Sequence, residues 1–343
     1  MKIVKKVCIT VFRPFKKVQV KFRTSIQIPK SKNPIDYISK IVSLGSCFAG
    51  NMSEKFDYFK FQNATNPFGI LFHPLAIEKL IDFAVSKKQF TEKDIFFHNE
   101  RWHCFDVHSD LSTSNKSEFL ENLNAIIKST LQQLQEASHI IITYGTSWVY
   151  RNLDSNEIVA NCHKVAQAAF SKEILSIETV ERSIQNTIDL IQKINPNINF
   201  IFTVSPVRHL KDGFLENQLS KAHLISAIYH ILESAICSRK LSGLQSAIYF
   251  PSYEIMMDEL RDYRFYAEDM MHPNSVAIDY IWERFCQTSI SEESQSIMKE
   301  VETIQKGLQH RPFNPNSASH LKFQEKISEK ITKLVTQYPF IKF

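Results

Sequence analysis

A three-layer α/β/α fold, an open and mainly parallel sheet with helices on both faces, is predicted by three features of the sequence. Short, largely apolar runs at Lys40–Leu44, His139–Tyr144, Asn199–Val204 and Ala247–Phe250 have the length and hydrophobicity of strands buried on both faces. Between them lie segments with apolar residues at helical spacing, such as Ile177, Val180, Ile184, Ile188 and Ile191. The two kinds alternate along the chain, which is the pattern of a parallel sheet joined by crossover helices. Ligand sites in such sheets lie beyond the C-terminal strand ends, so the loops after Leu44, Tyr144, Val204 and Phe250 share one edge.

In chain order, the first strand breaks at Gly45 and passes into a helix over about 47–56. Residues 63–74, rich in Asn, Pro and Gly, read as turns that lead into an amphipathic helix carrying Leu75, Leu80, Ile81 and Phe83. Polar and apolar residues alternate from Asp94 to His108 around His98-Asn99-Glu100-Arg101, which predicts a β-hairpin. Asn115 with Glu118 three residues on marks a helix start, and that helix runs to about Gln135. After the strand ending at Tyr144, a second hairpin pairs 148–150 with 158–160. The helix through Ile191 stops at Asn195-Pro196. A long helix over about 216–240, a strand to Phe250, a short helix near 252–260 and a loop over 264–274 follow. Pro273 suits the first position of the next helix. The organisation expected is a basic arm over 1–35, a catalytic domain over 36–290, and a helical extension over 291–343 rich in Glu, Lys, Gln and Ser.

Hydrophobic residues make up 43% of the 343, enough for a substantial core. The net charge of +5 is concentrated at the start, where ten Lys and Arg precede the first acid, Asp36. Such an arm suits an edge lying on the domain's own surface, or contact with an anionic membrane. Without a Gly-rich phosphate loop or an RNA-recognition motif, no nucleic-acid partner is expected. Six cysteines lack CxxC spacing, which fits reduced, packing thiols in a cytoplasmic protein, and neither a signal peptide nor a span long enough for a bilayer is read. His103-Cys104 and Cys162-His163 lack ligand spacing, so no metal and no cofactor are expected.

Gly45-Ser46-Cys47-Phe48-Ala49 sits where a strand turns sharply into a helix, which lifts the side chain after the glycine above the sheet and points helix N–H groups at the same space. Far downstream, Asp269-Met270-Met271-His272 lies on the loop after the last strand, and its spacing lets the carboxylate hold the imidazole Nδ1–H. Ser46, Asp269 and His272 make a candidate triad. Cys47, a thiol at a helix N-terminus, is the alternative nucleophile.

The GSCFA motif itself, with Asn66-Pro67-Phe68-Gly69, Gly145-Thr146-Ser147-Trp148, Ser205-Pro206-Val207-Arg208 and Asp269-Met270-Met271-His272-Pro273, resembles the GSCFA-domain family over about residues 20–290. That family is similar to the SGNH hydrolases, three-layer α/β/α enzymes that cleave or transfer ester-linked acyl groups. The resemblance implies Ser46 as nucleophile, Gly69 as backbone oxyanion donor, and Asp269 and His272 as orienting acid and general base. The SGNH first block normally reads Gly-Asp-Ser and the third supplies an Asn donor; here Ser46 follows the glycine directly, Cys47 comes next, and Thr146 follows Gly145. Thr146 or Asn66 then stands as the substitute donor.

Arg208 and His209, leaving a buried strand toward the site edge, suit a carboxylate, phosphate or sugar hydroxyl. Trp148, His163 and His108 lie on or beside the hairpins that overhang it, as aromatic and polar groups do in carbohydrate sites. Removal or transfer of a small acyl group on a glycan or other small polar substrate is therefore expected, with a non-catalytic module holding a polar ligand as the other class of function.

Overall fold

The computed structural model describes residues 24–237 and 247–343. Residues 1–23 of the basic arm and the predicted end of the long helix, 238–240, lie outside the described residues.

The chain runs β1 (Lys40–Gly45), α1 (Cys47–Tyr58), β2 (Gln62–Thr65), α2 (Pro74–Ser86), β3 (Phe96–His98), β4 (Arg101–His103), α3 (Lys116–Glu136) and β5 (His139–Tyr144). It continues through β6 (Trp148–Asn152), β7 (Ile158–Val159), β8 (Phe170–Ile174), α4 (Ile177–Ile194), β9 (Asn199–Val204), α5 (Phe214–Cys237) and β10 (Ile248–Phe250). The last elements are α6 (Ser252–Glu254), α7 (Ser275–Ser289), α8 (Glu292–Gln309) and α9 (Ala318–Gln337). The central sheet has five strands in the order β2-β1-β5-β9-β10, every pair parallel.

Alternate residues of β1, β5 and β9 enter two cores. Val42, Leu44, Ile140, Ile142, Tyr144, Phe200 and Phe202 pack with α2 to α5, while Ile41, Ile141 and Ile201 pack with α1, α7 and the C-terminal helices. Burial on both faces explains the unbroken hydrophobicity of these runs. Helices α8 and α9 put Met298, Val301, Ile304, Ile327 and Leu334 into the second core.

Two short sheets are inserted at the edge that carries the C-terminal strand ends: the β3–β4 hairpin and the three-stranded β7-β6-β8. Asn99 and Glu100, between β3 and β4, have φ of 45° and 59°, as a primed two-residue hairpin turn requires. Two strands were not legible. The central sheet's edge strand β2 has no fully buried residue, and β8 carries Ser171-Lys172-Glu173, so neither shows the apolar pattern by which a strand is read. The helix expected from Pro273 starts instead at Ser275, because Asn274 takes the cap, its side chain accepting the Ala277 N–H at 3.0 Å.

Gly45 ends β1 at φ +131°, and a Cβ there would lie 2.1 Å from the Thr143 carbonyl oxygen. Gly45→Ala is expected to cost about 2 kcal/mol or more through that backbone clash and the forbidden φ. Gly50→Ala, whose Cβ would meet open space within α1, is expected to raise stability by roughly 0.5–1 kcal/mol. Thermal unfolding of the two variants checks the opposite signs.

Candidate active site

The order β2-β1-β5 reverses the chain's direction of travel across the sheet at β1, and the space beyond β1 and β5 is the switch point where parallel sheets bind ligands. The turn from β1 into α1 opens there. The Gly45 N–H donates to Asn66 Oδ1 at 2.8 Å, and its carbonyl accepts from Leu71 N–H at 3.0 Å. Ser46 extends the ladder, its N–H donating to the Thr143 carbonyl at 3.0 Å, while its Oγ accepts the Phe48 N–H at 3.3 Å as the helix cap. At 1% exposure Ser46 is buried and does not line the cavity. Cys47, the next residue, does.

That cavity, of about 650 Å³, is walled largely by apolar side chains of β6, β7 and β8 and by Phe72. Cys47, Thr146, Arg208, His209, Met271 and His272 form its chemical side. The Cys47 N–H, at the first turn of α1, has no backbone acceptor among the described residues.

Asp269 and His272 pair as the sequence predicts. Asp269 Oδ2 lies 2.5 Å from His272 Nδ1, and Oδ1 accepts the N–H groups of Met271 at 2.9 Å and His272 at 3.0 Å. The two backbone donors and the imidazole hold the Asp269 carboxyl at about 2. With Nδ1 directed to Asp269, Nε2 is left for a reacting group.

Arg208 binds the loop that carries this pair. Its N–H donates to the Met271 carbonyl at 3.2 Å, its guanidinium donates to the Met270 carbonyl, and its Cζ stands 4.2 Å from the centre of the Tyr266 ring. The anion-binding role expected of Arg208 gives way to anchoring, because carbonyls and a ring already engage its head. His209 is the polar group that faces the cavity unengaged: its Nε2 has no partner among the described residues, and burial, with the Lys221 and His272 charges, pushes the imidazole down to about 3.

Lys221 was not foreseen. Its Nζ, wholly buried, donates to the carbonyls of Gly145 and Ser205, both at 2.7 Å, and so ties together the loops that leave β5 and β9. Burial pushes its ammonium down to about 7, with the Cys47 thiol acting the other way. The signal was available, since Asn217, Ser220, Leu224 and Ile228 put position 221 on the inward face of α5.

The oxyanion donors read from the sequence fare unevenly. Gly69 is excluded as a donor by a turn, since its N–H donates to the Asn66 carbonyl at 2.7 Å. A Cβ on Gly69 would lie 2.3 Å from the His108 Cβ, so close packing is what the glycine serves. Asn66 uses Oδ1 on Gly45 and does not line the cavity. Thr146 does line it, but its Oγ1 accepts the Trp148 N–H at 3.0 Å and shares a proton with Ser220 Oγ at 2.9 Å.

Of the expected binding residues, Trp148 faces the cavity, with its indole N–H donated to the Glu216 carbonyl at 3.1 Å. His163 and His108 do not. His163 Nε2 bonds the Cys104 carbonyl at 2.7 Å, and His108 caps a short turn at Asp110. No group of His, Cys, Asp or Glu among the described residues is arranged to hold a metal, and Cys47, Cys104, Cys162 and Cys286 are free. No described helix is long and apolar enough to cross a membrane.

The GSCFA family model matches residues 40–285, and that of the GSCFA domain protein C-terminal domain matches 301–343. A comparison with curated proteins returns no match. Among solved structures, the chain is similar to an acetyl xylan esterase, Est2A, from the rumen bacterium Butyrivibrio proteoclasticus, at 10% identity and a TM-score of 0.35. The alignment covers 80% of this chain and 65% of that one, so the chain spans just under two thirds of that structure's length.

Proposed function

The chain belongs to the GSCFA family, and from that premise we propose that it is an SGNH-like acyl ester hydrolase or O-acyltransferase working through an acyl-enzyme formed on the turn between β1 and α1. One observation carries the proposal: His272, paired with Asp269, and the first residue of α1 face one cavity at the sheet's switch point. His272 Nε2 takes the nucleophile's proton as it attacks the acyl carbon, Asp269 stabilises the imidazolium, and the proton then passes to the departing oxygen. The Cys47 N–H and the dipole of α1 meet the oxyanion. Water or an acceptor hydroxyl, deprotonated by His272, completes the cycle.

The substrate is a small acyl group on a glycan or similar polar carrier. Trp148 and Tyr150 offer ring faces, and His209 Nε2 is free to bond a hydroxyl. The free thiols of Cys47, Cys104, Cys162 and Cys286 among the described residues suit a reducing, cytoplasmic setting.

Release of acetate from 4-nitrophenyl acetate and from peracetylated glucose tests the proposal. Saturable turnover is expected, falling roughly 10²-fold or more in Asp269→Asn. Release no faster than in buffer, or unaltered by Asp269→Asn, overturns it.

A further inference from the structure

We propose that the nucleophile of this site is the Cys47 thiol and that Ser46 is its structural cap, an assignment that rests on the acyl-transfer function proposed above. Ser46 is the residue a motif reader selects, yet both its polar groups serve the fold. Its N–H continues the β1–β5 ladder onto Thr143, its Oγ caps α1 at Phe48, and at 1% exposure it does not line the cavity. Cys47 is half-buried and shares the cavity wall with His272 and His209.

The surroundings of Cys47 are those of a thiol that reacts when a base is supplied. It is the first residue of α1, where helix N–H groups favour a thiolate. The Phe48 N–H and the Lys221 ammonium also lower its proton affinity, but burial outweighs them and the Asp269 carboxylate adds to the rise. The thiol is therefore protonated at rest, and deprotonation falls to His272. Lys221 then has a second task besides tying the loops, its charge favouring the thiolate once it forms.

The chemistry balances without an outside reagent. The Cys47 S–H proton passes to His272 Nε2 as the sulfur bonds to the ester carbon, giving a tetrahedral oxyanion. Thiolate leaves such an intermediate more readily than alkoxide does, so the imidazolium must protonate the ester oxygen for its C–O bond to break. A thioester on Cys47 and the free alcohol result. Water or an acceptor hydroxyl, giving its proton to His272, attacks the thioester. The C–S bond breaks, and the proton returns to sulfur.

Alkylation by iodoacetamide, read peptide by peptide by mass spectrometry on the folded full chain, tests the assignment, with Cys162 as an internal control because it lines the same cavity. Cys47 is expected to alkylate about 10-fold or more faster than Cys162, and the difference to vanish in His272→Gln. Turnover of 4-nitrophenyl acetate is expected to fall about 10³-fold or more in Cys47→Ala and to stay within about 10-fold of wild type in Ser46→Gly, glycine being tolerated at helix caps. Cys47 alkylating no faster than Cys162, or turnover that survives Cys47→Ala and is lost in Ser46→Gly, overturns it. If Cys47 alkylates in the His272-dependent way but no ester turns over, the thiol assignment stands and the hydrolase function falls.

Discussion

Replacing His272 by Gln is expected to lower kcat for ester turnover roughly 10²–10⁴-fold, with KM little changed. The imidazole is the only described group at the cavity whose Nδ1 is fixed by a carboxylate, at 2.5 Å, while its other nitrogen stays uncommitted. His209, like His73 a further histidine of the cavity wall, is held neutral by burial down to about 3, so it offers a hydrogen bond but no imidazolium at neutral pH. A kcat loss confined to His272→Gln, with His209→Gln acting mainly on KM, separates proton transfer from substrate binding. Equal losses in kcat would contradict the division of roles.

Acid is expected to unfold the protein well before most carboxylates titrate. His73 and His163 are buried and held neutral down to about 4, and His209 down to about 3, each chiefly by loss of solvation. Their folded-state proton affinities lie below that of an unfolded histidine, near 6.5. The unfolded chain therefore takes up protons that the folded chain refuses. Stability is complete above about pH 6.5 and is lost as the pH falls toward the folded values. Three such groups together remove on the order of 4 kcal/mol per pH unit within that window, against a usual total of about 5–15 kcal/mol. Thermal unfolding between pH 7 and 4.5 checks this: a steep fall in Tm is expected, made shallower by His163→Gln, whereas a flat profile would contradict it.

The sheet and its helices were legible because they are buried on both faces or along one stripe, and burial writes a period into the sequence. Leu44, Ile141 and Phe202 carry that signal; Gln62–Thr65, at the sheet edge with every residue part-exposed, does not. The Asp269–His272 pair was legible from spacing, since both partners sit on one turn. Arg208 was harder to read, because a guanidinium has no sequence signature that separates binding an anion from bracing carbonyls across a loop. Ser46 and Cys47 differ only in which of two adjacent side chains the turn presents. That is set by Gly45 at φ +131° and by Ser46's bond to Thr143, neither of which a motif records.

The most direct test of acyl transfer at this site is intact-protein mass spectrometry after rapid quenching with 4-nitrophenyl acetate, followed by mapping of the adduct. One acetyl group per chain is expected, on the peptide containing residues 46–47, decaying as acetate is released and failing to form in His272→Gln. Turnover with no adduct, or an adduct elsewhere on the chain, would contradict the acyl-enzyme and with it the role given to the turn between β1 and α1.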